Sequence, residues 1–351
     1  MQVRIVSSTR QTSCPEFDDG GKNPVDAPLA DLGRWLAGTG YRFVTVTPGT
    51  HSRVNARSGS REAYSIADVF GWNRPFRPSL LPGAVLQLLV QADAVTRRDG
   101  LLVSRVRFST LDDQIYVHSA FPTLEPDAVF FGPDTYRFAT LIKQTLAADP
   151  VIAGGCIVDV GCGAGAGGIV AERAASEPCS LIMTDINPTA LRHAEINAEL
   201  AGVAASFRCC DLFAGIECPV DLIVANPPYL VDPQARLYRH GGGALGSALS
   251  MRIVREGMAC LAPGGRLILY TGSPIVRGRD PLREAIELAI AGTAVSCAYA
   301  ELDPDVFGEE LEMPAYLDVD RIAAVGVVLT LHAPSALRVA ATFTAHVQEL
   351  R

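Results

Sequence analysis

The run IVDVGCGAGAG, Ile157 to Gly167, constrains the fold of this chain more than any other stretch. Apolar residues from Ile157 to Val160 give way to glycines at 161, 163 and 165, the pattern of a buried parallel strand passing through a tight turn into a helix. Glycine there permits positive φ and lets a ligand approach the backbone without a Cβ in the way. The helix is expected over Gly168 to Ala175. A nucleotide-type ligand at the carboxyl end of a first strand in an α/β sheet follows from this arrangement.

The spacing also excludes ligands. Gly161-x-Gly163-x-Gly165 is not the G-x-G-x-x-G that seats a pyrophosphate, and no Gly-Lys-Ser/Thr follows as in a P-loop. Asp159, just before the turn, suits a cationic group better than a phosphate. LIMTDIN, Leu181 to Asn187, reads as a second strand ending in Asp185, well placed for ribose hydroxyls. CCDLF, Cys209 to Phe213, puts Asp211 at the end of a third strand, and DLIVANPPY supplies a fourth. Four strand ends carrying polar residues thus line one edge of one sheet.

With these residues in place, the segment from about Val129 to about Leu331 resembles a class I S-adenosylmethionine-dependent methyltransferase. NPPY, Asn226 to Tyr229, is similar to the tetrapeptide of enzymes that methylate planar, amide-like nitrogens, above all the release-factor glutamine N5-methyltransferases. Adenine N6-methyltransferases share it. The resemblance implies a Rossmann-like seven-stranded α/β sheet and S-adenosylmethionine as cofactor. It implies cofactor contacts from Asp159, Gly161, Cys162, Gly163, Ala164, Gly165, Asp185, Ile186, Asp211, Leu212, Asn226 and Thr135. Asp159 is expected near the methionine end, Asp185 on the ribose, and Asp211 with the Leu212 amide on the adenine.

NPPY also has a physical rationale of its own. A carboxamide nitrogen is a poor nucleophile because its lone pair is delocalised. Asn226 Oδ1 and the Pro227 carbonyl can accept its N–H groups and stabilise the charge that develops there. Pro227 and Pro228 stiffen the loop, and Tyr229 offers a flat face to a planar acceptor. Methyl transfer is catalysis by positioning, and no metal is expected.

Charge divides unevenly. Residues 1–127 hold 14 Lys+Arg against 13 Asp+Glu, a balance of +1; the remaining 16 against 25 give −9, for the total of −8. An acidic catalytic half argues against broad non-specific nucleic-acid binding. Between Arg53 and Arg107, nine Arg face four acidic residues; this is either a basic face for RNA or an acidic protein, or a solvated surface. Nine scattered cysteines without a C-x-x-C pair point away from metal or disulfide frameworks and toward a reducing compartment. No apolar run reaches membrane-helix length, and a cytoplasmic protein is expected.

Residues 1–27 read as a mobile leader, 28–127 as an N-terminal substrate-recognition domain and 128–351 as the methyltransferase domain. In the N-terminal part, helices are expected at Leu29 to Leu36, Ala63 to Phe70 and Leu81 to Val95. LLVSRVRFS and QIYVHSA are expected to pair as one hairpin, in a pattern that resembles a small winged helix. Asp134 is expected to cap a helix, with Phe131, Pro133, Thr135 and Tyr136 roofing the cofactor. YRHGGGALG, Tyr238 to Gly246, is read as either a lid or a surface connection, and the acidic stretch Asp303 to Asp320 as either a substrate-contacting flap or a solvated acidic loop. Protein, nucleic-acid and small-molecule acceptors all remain open at this stage, with a protein glutamine foremost.

Overall fold

The computed structural model describes residues 26–217 and 219–333, so most of the expected leader lies outside the described residues. The described residues begin with α1 (Asp26–Gly38), α2 (Pro48–Asn55), α3 (Ile66–Phe70) and α4 (Gly83–Gln91). Helix α2 was not foreseen. Its sequence, PGTHSRVN, carries no apolar stripe, and it starts because Thr47 accepts from the Thr50 amide with Pro48 behind it.

The expected single hairpin is two. β1 (Val95–Arg98) pairs with β2 (Leu101–Ser104), and β3 (Val106–Leu111) pairs with β4 (Gln114–Ser119), in separate sheets. LLVSRVRFS breaks at Arg105 because the Ser104 hydroxyl bonds the backbone of Val106 while the Arg105 amide turns to Ala94. A polar side chain that satisfies backbone locally competes with ladder pairing.

The catalytic half runs α5 (Pro133–Ala148), β5 (Cys156–Val160), α6 (Ala166–Ala174), β6 (Ser180–Asp185), α7 (Pro188–Ala201), β7 (Ser206–Cys209) and β8 (Val220–Ala225). It closes with α8 (Ala248–Cys260), β9 (Leu261–Val276), α9 (Pro281–Ile290), β10 (Val295–Asp303) and β11 (Val319–Leu331). Seven strands form one sheet in the order β10-β11-β9-β8-β5-β6-β7. β5, β6, β7, β8 and β9 run parallel, and β11 lies antiparallel between β9 and β10. The Pro263-Gly264-Gly265 turn falls inside β9, as the irregularity between its pairings to Val220 and Leu222.

Strand parity sorts the core. Ile157, Leu222 and Ile268 pack with α5, α6 and α7 on one face, while Val158, Ile223 and Leu267 pack with α8 and α9 on the other. The order reverses at β5 and β8, so the crevice beyond their carboxyl ends is the topological switch point where ligands bind in such sheets.

Helix α7 is shared between the two halves. Ile196 is part of the N-terminal core, and Leu200 packs against it. Asn197, fully buried, accepts from the Val117 amide on β4 and donates to the carbonyls of Val117 and Ala164. One carboxamide therefore ties the second hairpin to the glycine turn. Among the described residues no helix is long and apolar enough to cross a membrane. Against the expectation of no disulfides, Cys209 and Cys260 are disulfide-bonded; both sit where an edge strand or a helix ends, at the periphery.

Candidate active site

A cavity of about 220 Å³ opens at the switch point. Gly161, Gly163, Asp185, Ile186, Asp211 and Leu212 line it together with Asn226, Pro227, Pro228 and Tyr229, and Thr135 contributes as well. The sheet explains the gathering, since β5, β6 and β8 are adjacent and all end at this edge.

The glycine turn takes the expected backbone. Gly161, Gly163 and Gly165 have φ of 66°, 54° and 77°. A Cβ built on Gly161 or Gly163 would meet nothing within 4 Å, whereas one on Gly165 would press on Ala194 at 3.1 Å. The first two glycines thus leave open space for a ligand, and the third serves helix–helix packing. The open cradle and the carboxylates around it fit the expected cofactor. Cys162 and Ala164 are buried beneath the turn and do not line the cavity.

The three carboxylates have different surroundings. Asp159 is 2% exposed and turned away from the cavity: its Oδ2 accepts from the Gly168 amide at 2.7 Å, in the first turn of α6. Parity on β5 places it with Ile157, beneath that helix. Burial pushes its pKa up to about 7. Asp185 lines the cavity and accepts from the amides of Gly163 and Asn187, each at 2.9 Å, and burial raises its pKa as well. Asp211 stands two residues beyond the end of β7 and is held by Arg252 of α8 through two contacts at 3.1 and 3.3 Å. That pair joins residues 41 positions apart and leaves no local pattern by which to foresee it.

Asn226 is half-buried at the end of β8. Tyr229 is buried, and its hydroxyl donates to Asp134 Oδ2 at 2.5 Å; Tyr270 donates to Asp134 Oδ1 at 2.8 Å. Asp134 is therefore not the expected cap. Gly132 holds the cap position, Thr135 Oγ1 accepts from the Gly132 amide, and Asp134 points into the protein. The expected roof is also revised. Phe130 lines the cavity, while Phe131 is 1% exposed and stacks on His118, and the Tyr136 hydroxyl accepts from the Thr45 amide.

Several walls have no strong sequence signal. Pro48 and Thr123 come from the N-terminal half. Tyr238 stacks on Phe130 and donates to the Thr123 carbonyl at 2.8 Å. Phe307, from the acidic stretch, meets Tyr229 edge-on with ring centroids 5.8 Å apart. Arg239 pairs with the buried Glu310 of the same stretch, and the Tyr316 hydroxyl accepts from the Val231 amide. Only interleaved aromatic residues in an acidic loop pointed to Phe307.

A mostly parallel seven-stranded sheet with a crevice at its switch point, floored by this glycine turn, is the architecture of class I S-adenosylmethionine-dependent methyltransferases. Residues 128–276 match the family model of the methyltransferase small domain. A release factor glutamine methyltransferase of Deinococcus radiodurans is 35% identical over 167 residues, 44% of this chain and 55% of that one. Ribosomal RNA small subunit methyltransferase C of Chromohalobacter salexigens is 31% identical over 155 residues, 43% of this chain and 42% of that one. A solved 16S rRNA methyltransferase of T. thermophilus, in complex with AdoMet and guanosine, covers 74% of this chain and 64% of its own, at 16% identity and a TM-score of 0.42. The chain spans about half the length of the curated glutamine methyltransferases it matches.

Proposed function

We propose that this protein transfers the methyl group of S-adenosylmethionine to a planar, amide-type nitrogen, and that the acceptor is a glutamine side chain of a protein. The observation that carries the reading is that Asn226 to Tyr229 line the same cavity as Gly161, Gly163, Asp185 and Asp211. When bound, S-adenosylmethionine supplies an electrophilic methyl on a sulfonium. The open backbone at Gly161 and Gly163 would admit its methionine end, Asp185 would take its ribose hydroxyls, and Asp211 with the Leu212 amide its adenine, with Ile186 and Thr135 alongside. Asp159 then acts indirectly, anchoring the first turn of α6 behind the glycines.

At the other end, Asn226 Oδ1 and the Pro227 carbonyl accept the acceptor's N–H groups, and Tyr229 packs against its plane. Oriented acceptors of this kind stabilise positive charge as it develops on nitrogen, and fixed alignment supplies the rest. Residues 28–127 would select the substrate and residues 128–351 carry the chemistry, in the cytoplasm. The relatives named for release-factor glutamine methylation support a protein acceptor.

A second reading, methylation of an adenine or another base in RNA, draws support from the rRNA methyltransferase relative and from a basic surface. Arg53, Arg57, Arg61, Arg97 and Arg98 are all exposed. A small-molecule acceptor is the third possibility. One experiment separates them: tritiated S-adenosylmethionine and the protein are added to cell extract, which is then split and treated with nuclease or protease. Label lost only to protease is expected. Label lost only to nuclease moves the reading to RNA or DNA, and label resistant to both indicates a small molecule.

A further inference from the structure

The NPPY loop explains its asparagine and prolines, but nothing in it explains how the tyrosine ring is kept at the cavity wall. The surroundings do. Asp134, from the first turn of α5, reaches 95 residues along the chain to Tyr229 and 136 residues to Tyr270 on β9, accepting from both hydroxyls at 2.5 and 2.8 Å. Arg137, one turn on, contacts the same carboxylate at 3.3 Å and Asp303 at 2.6 Å, where β10 ends and the acidic stretch begins. Both tyrosines are buried and Asp134 is 8% exposed. A carboxylate that accepts two hydroxyls in such a site forms the shorter, stronger class of hydrogen bond.

The ring has no slack in other directions. A Cβ on Gly272 would lie 2.2 Å from a Tyr229 ring carbon, so the strand beside the ring accepts only glycine there without rearrangement. Phe307 closes the edge. Hydroxyl, face and edge of Tyr229 are thus fixed by α5, β9 and the acidic stretch, three elements that the tetrapeptide does not contain.

We propose that Asp134 is a positioning residue for methyl transfer, holding the Tyr229 ring against the acceptor's plane by its hydroxyl, with Tyr270 and Arg137 orienting the carboxylate in turn. This rests on the reading of the cavity as a methyl-transfer site. Positioning shells of this kind set whether a site is preorganised or loose, and misplacement by about 1 Å can cost on the order of 10²-fold in rate. Both partners being protonated donors, the loss of the carboxylate charge leaves neither hydroxyl with its strong acceptor.

The test combines a spectroscopic and a kinetic readout on the full chain. In proton NMR, wild type should give two slowly exchanging hydroxyl signals far downfield. Tyr229→Phe should remove one, Tyr270→Phe the other, and Asp134→Asn should shift both. Label transfer from tritiated S-adenosylmethionine to nuclease-treated extract protein should fall about 10-fold or more in Asp134→Asn and in Tyr229→Phe. The double variant should be no slower than either single one, because both remove the same constraint. Affinity for S-adenosylhomocysteine should stay within about twofold of wild type throughout. Multiplied losses in the double variant, or an Asp134→Asn that weakens S-adenosylhomocysteine as much as it slows transfer, would mean that Asp134 acts on the cofactor itself and would overturn the inference. Unchanged transfer in Asp134→Asn also overturns it. A wild-type protein that labels nothing in extract overturns the reading of the site, and this inference with it.

Discussion

The two ends of the cavity are built differently. The end formed by the glycine turn and the strand-terminal aspartates is local: Gly161, Gly163, Asp185 and Asp211 fall within 51 positions, and the hydrogen bond from the Gly163 amide to Asp185 follows from adjacent parallel strands. The NPPY end is assembled from afar. Tyr229 there meets Phe307, and the cavity's further walls, Pro48, Thr123, Phe130 and Tyr238, come from both halves of the chain. A cofactor that never varies can be met by a fixed sheet edge. An acceptor that distinguishes one enzyme from another is met by loops, which change without disturbing the core.

The sharpest way to break this comparison is Asn226→Ala. Turnover should fall on the order of 10²-fold or more, as for loss of one oriented polar contact to developing charge, while calorimetry finds S-adenosylhomocysteine affinity unchanged. A variant that loses cofactor instead would merge the two ends into one. The converse is Asp185→Ala, which should weaken S-adenosylhomocysteine about 10-fold or more, the scale of a charge-assisted hydrogen bond. The effect has a second source, because Asp185 also accepts from the Gly163 amide and so shapes the turn. Unchanged affinity would remove Asp185 from the cofactor end.

Smaller effects sharpen the contrast. Glu310→Gln removes the charge that pairs with Arg239. A roughly threefold to tenfold loss of transfer with cofactor affinity intact is expected, in line with a buried ion pair that orders a loop. Loss of cofactor affinity in this variant would show that the acidic stretch serves the wrong end. The smallest effect is on stability. His51 and His193 are buried, with burial holding each pKa at about 4, below the usual 6.5. Their neutral forms favour the folded state above pH 6.5, and that contribution is lost as pH falls toward 4. Asp159 runs the other way, with a raised pKa of about 7: its contribution is full below about pH 4 and is lost as pH rises through 7. The melting temperature should therefore drop by on the order of 5 °C between pH 7 and pH 5. Asp159→Asn should gain on wild type above pH 7; equal melting temperatures at pH 8 would contradict the raised pKa.

How much of this was legible in the sequence follows the same division. The glycine turn, the strand-terminal aspartates and NPPY were readable because strand, turn and motif each lie within a dozen consecutive residues. Asp159 was readable in identity but misread in direction, although the alternation Ile157, Asp159 already put it on the α6 face. Asp134 was taken for a cap because Asp after Pro at a helix start commonly is one; its true partners, Tyr229 and Tyr270, are about a hundred residues away. The division of the hairpins turned on one serine hydroxyl, and the Arg252 contact to Asp211 on two side chains that only the fold brings together. Local periodicity carries no information about such pairs.

Asn197 gives the two halves a common mechanical element. Its carboxamide holds β4 of the N-terminal half and the Ala164 carbonyl of the glycine turn at once. Asn197→Ala would therefore unfasten two places with one change, an edge of the second hairpin and the carbonyl behind the glycine turn, and leave the backbone groups at both without their partner.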